Sequence, residues 1–309
     1  MLTRRLLPIL ATPALAQPRP LRLLVPFGAG GITDIVARII AEGAAAALGQ
    51  PIIVENRPGA GGNIAGEALA RAAPDGQTLM MGTGGIYVAN PMLYARMPFD
   101  PRRDFTPVAL AAASPHVLVT SAPHATLAEF LAAARARPEA MTFSTAGVGS
   151  SPHQSLLLLQ SLAGARLLDV HFRSGAEGVQ ALLSGQVSAT AEAVVILAEQ
   201  VRAGSLRALA LCGPQRMEQL PDVPTAAEAG LPGLENGSIS GIVAPRGLPP
   251  DVLARLAAGF GAATASADTR RRLSEQGTLP LQGDGAAFLA LMDREAARWA
   301  PLLSGLRAG

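Results

Sequence analysis

LRLLVPFGAGGITDIVARIIAEGAAAAL, residues 21–48, decides the reading of the fold. Leu21–Phe27 is a short apolar run, and Gly28, Gly30 and Gly31 interrupt it. From Thr33 to Leu48 apolar residues recur at helical spacing, with Ile35, Ile39 and Ile40 on one face. Strand, glycine loop and helix in that order make one unit of a parallel α/β sheet. The unit then repeats. PIIVEN (51–56) and QTLMMGT (77–83) read as strands flanking a helix at 60–73. After a change of rhythm, strands at 141–145, 167–172, 187–193 and 206–212 alternate with helical stretches. The change falls between Asp100 and Pro123, where VALAAA and HVLVTS predict two successive strands with no helix between them. SISGIVA (238–244) predicts a returning strand, and the remainder reads as helical.

The expected architecture is therefore α/β, with two lobes joined by a two-strand hinge and a ligand cleft between them. Residues 17–115 form the first part of lobe 1 and residues 116–235 form lobe 2. Residues 236–309 return to lobe 1 as a strand and packing helices. A length of 309 residues suits two such units at about 150 residues each.

Composition narrows the chemistry. Apolar residues at 49% with charged residues at 16% exclude a disordered chain. All 25 basic residues are arginine, so lysine Schiff-base chemistry and a P-loop lysine are both excluded. The single cysteine, Cys212, forbids an intramolecular disulfide, and the four histidines lack metal-ligand spacing. Neither metal nor cofactor is expected. A formal charge of +2 and 4% aromatics, without a basic cluster, point away from nucleic acid. Residues 1–16, MLTRRLLPILATPALA, have the form of an export signal: two arginines, a short apolar run, and small residues at Ala14 and Ala16. Cleavage after Ala16 would leave Gln17 first and deliver a periplasmic protein of near-zero charge.

Four glycine-rich segments follow strands: 28–31, 59–62, 82–85 and 147–149. Ligands of open parallel sheets lie at such strand ends, where helix starts offer free N–H groups to an anion. The enzyme alternative stays open at this point. Gly28-Ala29-Gly30 begins a dinucleotide fingerprint, with Glu55 placed as a ribose-binding acid, but Thr33 occupies its last position. A hydrolytic elbow fails because Ile239 stands where Gly237–Gly241 would need a serine nucleophile. His153, close to Ser150 and Ser151, reads as a general base or as a hydrogen-bonding wall.

The motifs PFGAGGITDIVAR (26–38), LGQPIIVENRPGAGGNIA (48–65), APDGQTL (73–79), MPFDPRRDFTPVAL (97–110), FSTAGVGSSPH (143–153), LPDVPTAAEAGLPG (220–233) and GIVAPRGLPPDVLARL (241–256) stand in an order that resembles the Bug family. These are the solute-binding proteins of tripartite tricarboxylate transport systems. The resemblance implies a type II periplasmic binding protein, monomeric, that closes on a small carboxylate and delivers it to membrane permease subunits without performing chemistry. It implies ligand contacts from Phe27, Gly28, Ala29, Gly30, Gly31, Asp34, Thr83 and Gly84 in one lobe. The other lobe would contribute Ser144, Thr145, Ala146, Gly149, Ser150, His153, Phe172 and Arg173. His171-Phe172-Arg173-Ser174 departs from the family's Pro-Tyr-Lys-Gly, as do Glu177, Ser188 and Ile239 from its proline, aspartate and tryptophan. These departures leave the ligand's identity open.

Overall fold

A computed structural model describes residues 19–303. The export segment 1–16 and its cleavage point lie outside the described residues.

Strand β1 (Leu21–Val25) leads to α1 (Ile32–Leu48), which stops where Gly49 adopts φ 63° and donates its N–H to the Ala45 carbonyl. Strand β2 (Ile52–Asn56), a short 3-10 turn (Ala60–Gly62), α2 (Asn63–Ala70) and β3 (Thr78–Thr83) follow. A π-helical turn (Gly85–Ala89) and the short α3 (Asn90–Leu93) and α4 (Pro101–Asp104) lead into β4 (Phe105–Thr120). Then come α5 (Leu127–Ala136), β5 (Thr142–Thr145), α6 (Ser151–Ala163), β6 (Leu168–His171), α7 (Gly175–Leu183), β7 (Ala189–Ala193), α8 (Val194–Arg202) and β8 (Arg207–Cys212). The described residues close with β9 (Gly237–Pro245), α9 (Pro250–Ala265), α10 (Ala267–Glu275), the two-residue β10 (Leu279–Pro280) and α11 (Gly285–Leu303).

The strand order is β2-β1-β3-β9-β4-β7-β5-β6, with β8 and β10 also paired to β4. The outer strands on each side are parallel, whereas β4 is antiparallel to β7, β8, β9 and β10. The two strands expected between Asp100 and Pro123 are thus one strand of 16 residues. Its first part, to Pro115, pairs with β9; its last part, from His116, pairs with β7 and β8. Register shifts after Pro107 and after Leu110 absorb the irregularity that proline imposes on a ladder. β4 therefore passes from one α/β lobe to the other.

Each lobe buries both sheet faces. In lobe 1, α1 and α9 cover one face through Val36, Ile40, Leu256 and Phe260, while Phe288, Met292 and Trp299 of α11 cover the other. Burial of side chains this large contributes about 1.5–3 kcal/mol each, which anchors the C-terminal helix to the first lobe. In lobe 2, Phe130, Phe143, Leu156 and Leu159 fill one face, and Val179, Leu182 and Leu197 fill the other.

The crossover carries buried polar groups. His116 is fully buried and shares hydrogen bonds with Ser155 Oγ (3.0 Å) and Ser238 Oγ (3.3 Å). Asn236 donates to the Ser151 carbonyl (2.8 Å) and to Ser155 Oγ (2.9 Å). Burial pushes the His116 imidazole down to about 3, so it is neutral at physiological pH.

Candidate functional site

The loop Phe27–Gly31 ends at Gly31, the N-cap of α1, and no side chain caps that helix. A glycine cap leaves the first-turn N–H groups without a protein acceptor, and that end carries the positive side of the helix dipole. Asp34 lies just inside, but its carboxylate is engaged by its own loop. It accepts from Gly30 N–H (3.0 Å), from Arg38 (3.0 and 2.9 Å) and from Asn56 (2.9 Å). Burial pushes the Asp34 carboxyl up, but these donors outweigh it and hold the group below its usual range. Asn56 also donates to the Phe27 carbonyl (3.0 Å), so the loop is fixed from two sides.

In the second lobe the β5–α6 loop is held from behind. Ser150 Oγ caps α6 by accepting His153 N–H (3.4 Å). Gly149 N–H donates to His153 Nδ1 (3.2 Å), which leaves Nε2 to face Asp169 at 3.3 Å. Burial, helped by the neighbouring His171, pushes the His153 imidazole down to about 4. Gly149 has φ 82°, and a Cβ there would fall 1.9 Å from Asn90 Oδ1 of the first lobe. Only glycine satisfies both demands. Thr145 Oγ1 bonds His171 (2.7 Å), and Ser144 offers its carbonyl to Thr190 Oγ1 (2.9 Å).

A third helix start comes from α7, capped by Ser174. Arg173, just before it, is exposed, and its backbone N–H donates to Glu177 (3.1 Å). Glu177 therefore engages the main chain; among the described residues it makes no ion pair with the guanidinium.

The lobes touch. Gly28 N–H donates to the Arg173 carbonyl (3.1 Å), Tyr94 O–H to the Val148 carbonyl (3.2 Å), and Ser151 Oγ meets Ser238 Oγ at 2.6 Å. Between these contacts lies a cavity of about 20 Å³ lined by Phe27, Gly31, Thr33, Ala146, Ser150, Ser151, Gly175, Glu192 and Ser238. A second, also about 20 Å³, adjoins it at Ser151 and reaches Gly84, Asn236, Ile239 and Trp299. Such volumes suit one or two water-sized groups, so this is a closed cleft.

Of the residues expected from sequence, Phe27, Gly31, Ala146 and Ser150 line the first cavity and Gly84 the second. Gly28 and Arg173 join across the cleft through their backbones. Asp34, Thr145, Gly149 and His153 stand behind the lining and fix its loops, as does Thr83, whose Oγ1 accepts Ile86 N–H (3.4 Å). Ser144 is buried, Ala29 and Gly30 lie at an exposed rim, and Phe172 is half-buried against the α7 side of lobe 2. Gly175, Glu192 and Ser238 were not anticipated. Ser238 sits in the Gly237–Gly241 segment that failed as a catalytic elbow. Glu55, the acid of the dinucleotide reading, is paired with Arg22 (2.7 Å) and Arg57 (2.6 Å). Cys212 is buried, its thiol pushed up to about 12.

Two α/β lobes that share a strand and close on helix starts define a two-lobed solute-binding protein. A family model described as the tripartite tricarboxylate transporter family receptor matches residues 36–307. Protein BugT of Bordetella pertussis is 33% identical over 285 residues, covering 91% of this chain and 87% of BugT. Among solved structures, an adipate-bound protein of R. palustris has 33% identity and a TM-score of 0.89, covering 94% of this chain and 99% of the other. MatC from Rhodopseudomonas palustris, solved with bound malate, has 36% identity and a TM-score of 0.87, covering 92% and 99%. The chain belongs to the tripartite tricarboxylate transporter receptor family, which includes the Bug proteins. It is a solute receptor of the periplasmic-binding-protein type, and among its described residues no helix is long and apolar enough to cross a membrane.

Proposed function

We propose that this receptor holds a small dicarboxylate between its lobes and presents the closed form to membrane permease subunits as a monomer. The observation that carries this is the set of helix starts that both lobes bring to one closed cleft, which would open to admit a diacid. The starts of α1, α6 and α7 border it from both lobes, and among the described residues no arginine lines it. An anion there would be held by backbone N–H groups and helix dipoles, foremost those of the uncapped α1. Two relatives of this fold bind adipate and malate, each with two carboxylates. The proposed contact set is the loop Phe27–Gly31, Gly84 and Ala146–Ser150, with Arg173 at the rim and Asp34 and His153 fixing the loops. The proposed lobe boundaries fall at 115/116 and 235/236, supported by the change of β4 partners at His116. Export with cleavage after Ala16 would place the protein in the periplasm.

We propose further that no covalent chemistry occurs in the cleft. Glu55 is held by two arginines, and the His153 ring faces its own loop and Asp169 rather than a serine. The test is a thermal-shift panel of adipate, malate, succinate, acetate and benzoate, with NAD as the competing ligand. Stabilisation by dicarboxylates supports the receptor reading. Stabilisation by NAD alone refutes it.

A further inference from the structure

Glu192 lies on β7 with 3% of its surface exposed, and it is one of the residues that line the cavity between the lobes. Among the described residues its one hydrogen bond is from the Ala193 N–H (3.2 Å). The start of α7 is brought against it: a Cβ on Gly175 would fall 2.1 Å from Oε1, so only glycine permits the approach. The titratable and charged side chains on the elements around β7 are His116 on β4, His153 on α6, Glu177 on α7, and Glu199 and Arg202 on α8. Asp34 and Arg38 stand on α1. Among the described residues, none of these is hydrogen-bonded or ion-paired to Glu192. Arg38 is bound to Asp34, Arg202 donates to the Ala198 carbonyl, and Glu177 accepts from Arg173 N–H.

We propose that Glu192 reads the ligand, its protonated carboxyl donating an O–H to one ligand carboxylate, so that closing on a dicarboxylate takes up one proton. This rests on the receptor reading above and names a specificity-determining group within it. An ionised carboxyl bordering the cleft would repel any anion held between the lobes. Two carboxylates forced into one low-dielectric site resolve the conflict by sharing a proton. The resulting O–H···O⁻ bond is short and roughly twice as strong as a neutral one. The proton comes from solvent, because the ligand arrives as a dianion and Glu192 is the one titratable group among the described lining residues of this cavity. Burial already favours the protonated form, pushing the carboxyl up to about 7 before any anion arrives. An adjacent ligand charge pushes it further. Proton uptake follows, and affinity must fall as pH rises above the range of the ligand-free receptor. Esters and amides of the same diacids offer only a neutral carbonyl acceptor and should bind more weakly.

The experiment is calorimetry of adipate and malate with the full exported chain at pH 6.5 and 8.5, in buffers of differing ionisation enthalpy. Diacid carboxyls titrate below this range and stay largely ionised across it. The expected result is uptake of about one proton at pH 8.5. Affinity should be at least about tenfold weaker there than at pH 6.5. In Glu192→Gln the ratio between the two pH values should collapse to about twofold or less, because the amide cannot titrate. The buffer experiment needs no variant, so a folding defect in Glu192→Gln does not blunt it. Binding with no proton uptake and equal affinity at both pH values overturns the role of Glu192 and leaves the receptor reading intact. Failure of every acid in the panel to bind at either pH overturns both.

Discussion

Valine at Gly149 should abolish closure without unfolding either lobe. The residue has φ 82°, a region closed to β-branched side chains at a cost of about 1–3 kcal/mol. A second cost acts only in the closed form. The new Cβ would lie 1.9 Å from Asn90 Oδ1, and Asn90 cannot retreat freely. Its amide is fixed by the Gly61 carbonyl (3.0 Å) and Asn63 Oδ1 (2.8 Å), and the residue is fully buried. If closure loses about 2–3 kcal/mol, affinity falls on the order of a hundredfold. The strain common to both forms should lower the melting temperature by several degrees, at about 2–4 °C per kcal/mol for a protein of this size. Gly261→Ala, on α9 and outside the proposed contact set, is the control, because nothing lies within 4 Å of an added Cβ there. Calorimetry with adipate and malate, alongside circular dichroism and melting curves, reads both variants. If Gly149→Val binds within threefold of the parent, the steric reasoning is wrong.

Asp34→Asn should cost about 1.5–3 kcal/mol at pH 7, because it removes charge-assisted bonds from Arg38 and Gly30. The Asp34 carboxyl sits below its ordinary value of 3.8, so its contribution is present above that value and is lost as pH falls through the lower folded one. The stability gap between parent and variant, measured by urea unfolding, should therefore close below about pH 4. Arg173→Ala should weaken a dicarboxylate roughly tenfold more than a monocarboxylate. Glu177 engages the backbone N–H and leaves the guanidinium for a second carboxylate, and equal, sub-threefold effects on succinate and acetate in calorimetry would end that idea. N-terminal sequencing of the periplasmic protein should begin at Gln17, and recovery of Met1 would contradict export with cleavage.

Much of this architecture is legible in the chain because βα turns demand glycine and helices demand a 3.6-residue apolar spacing. α1 was expected from Thr33 and begins at Ile32, ending at Leu48 as read. Strand β4 was harder. Pro107 and Pro115 break the apolar pattern into two runs, and only the pairing with β9 shows that bulges carry the strand through. β10 is not legible in the sequence, because a two-residue strand has no periodicity of its own. The glycine loops were visible as a set, but the division between lining residues and residues that hold the loops was not. That division depends on where Asp34 and His153 find their partners. Glu192 was invisible for a related reason. A single acid in VSATAEA alternates with small residues as a solvent-facing side chain would. Its burial arises only because β7 lies between β4 and β5 and beneath Gly175.

Native mass spectrometry of the protein as purified, followed by denaturation and identification of any released small acid, tests the central claim most directly. The expected result is a single small carboxylic acid bound one to one, displaced by excess adipate or malate and missing from Gly149→Val. A parent protein that carries no acid and gains none from millimolar adipate, malate or succinate would contradict the receptor assignment of the cleft.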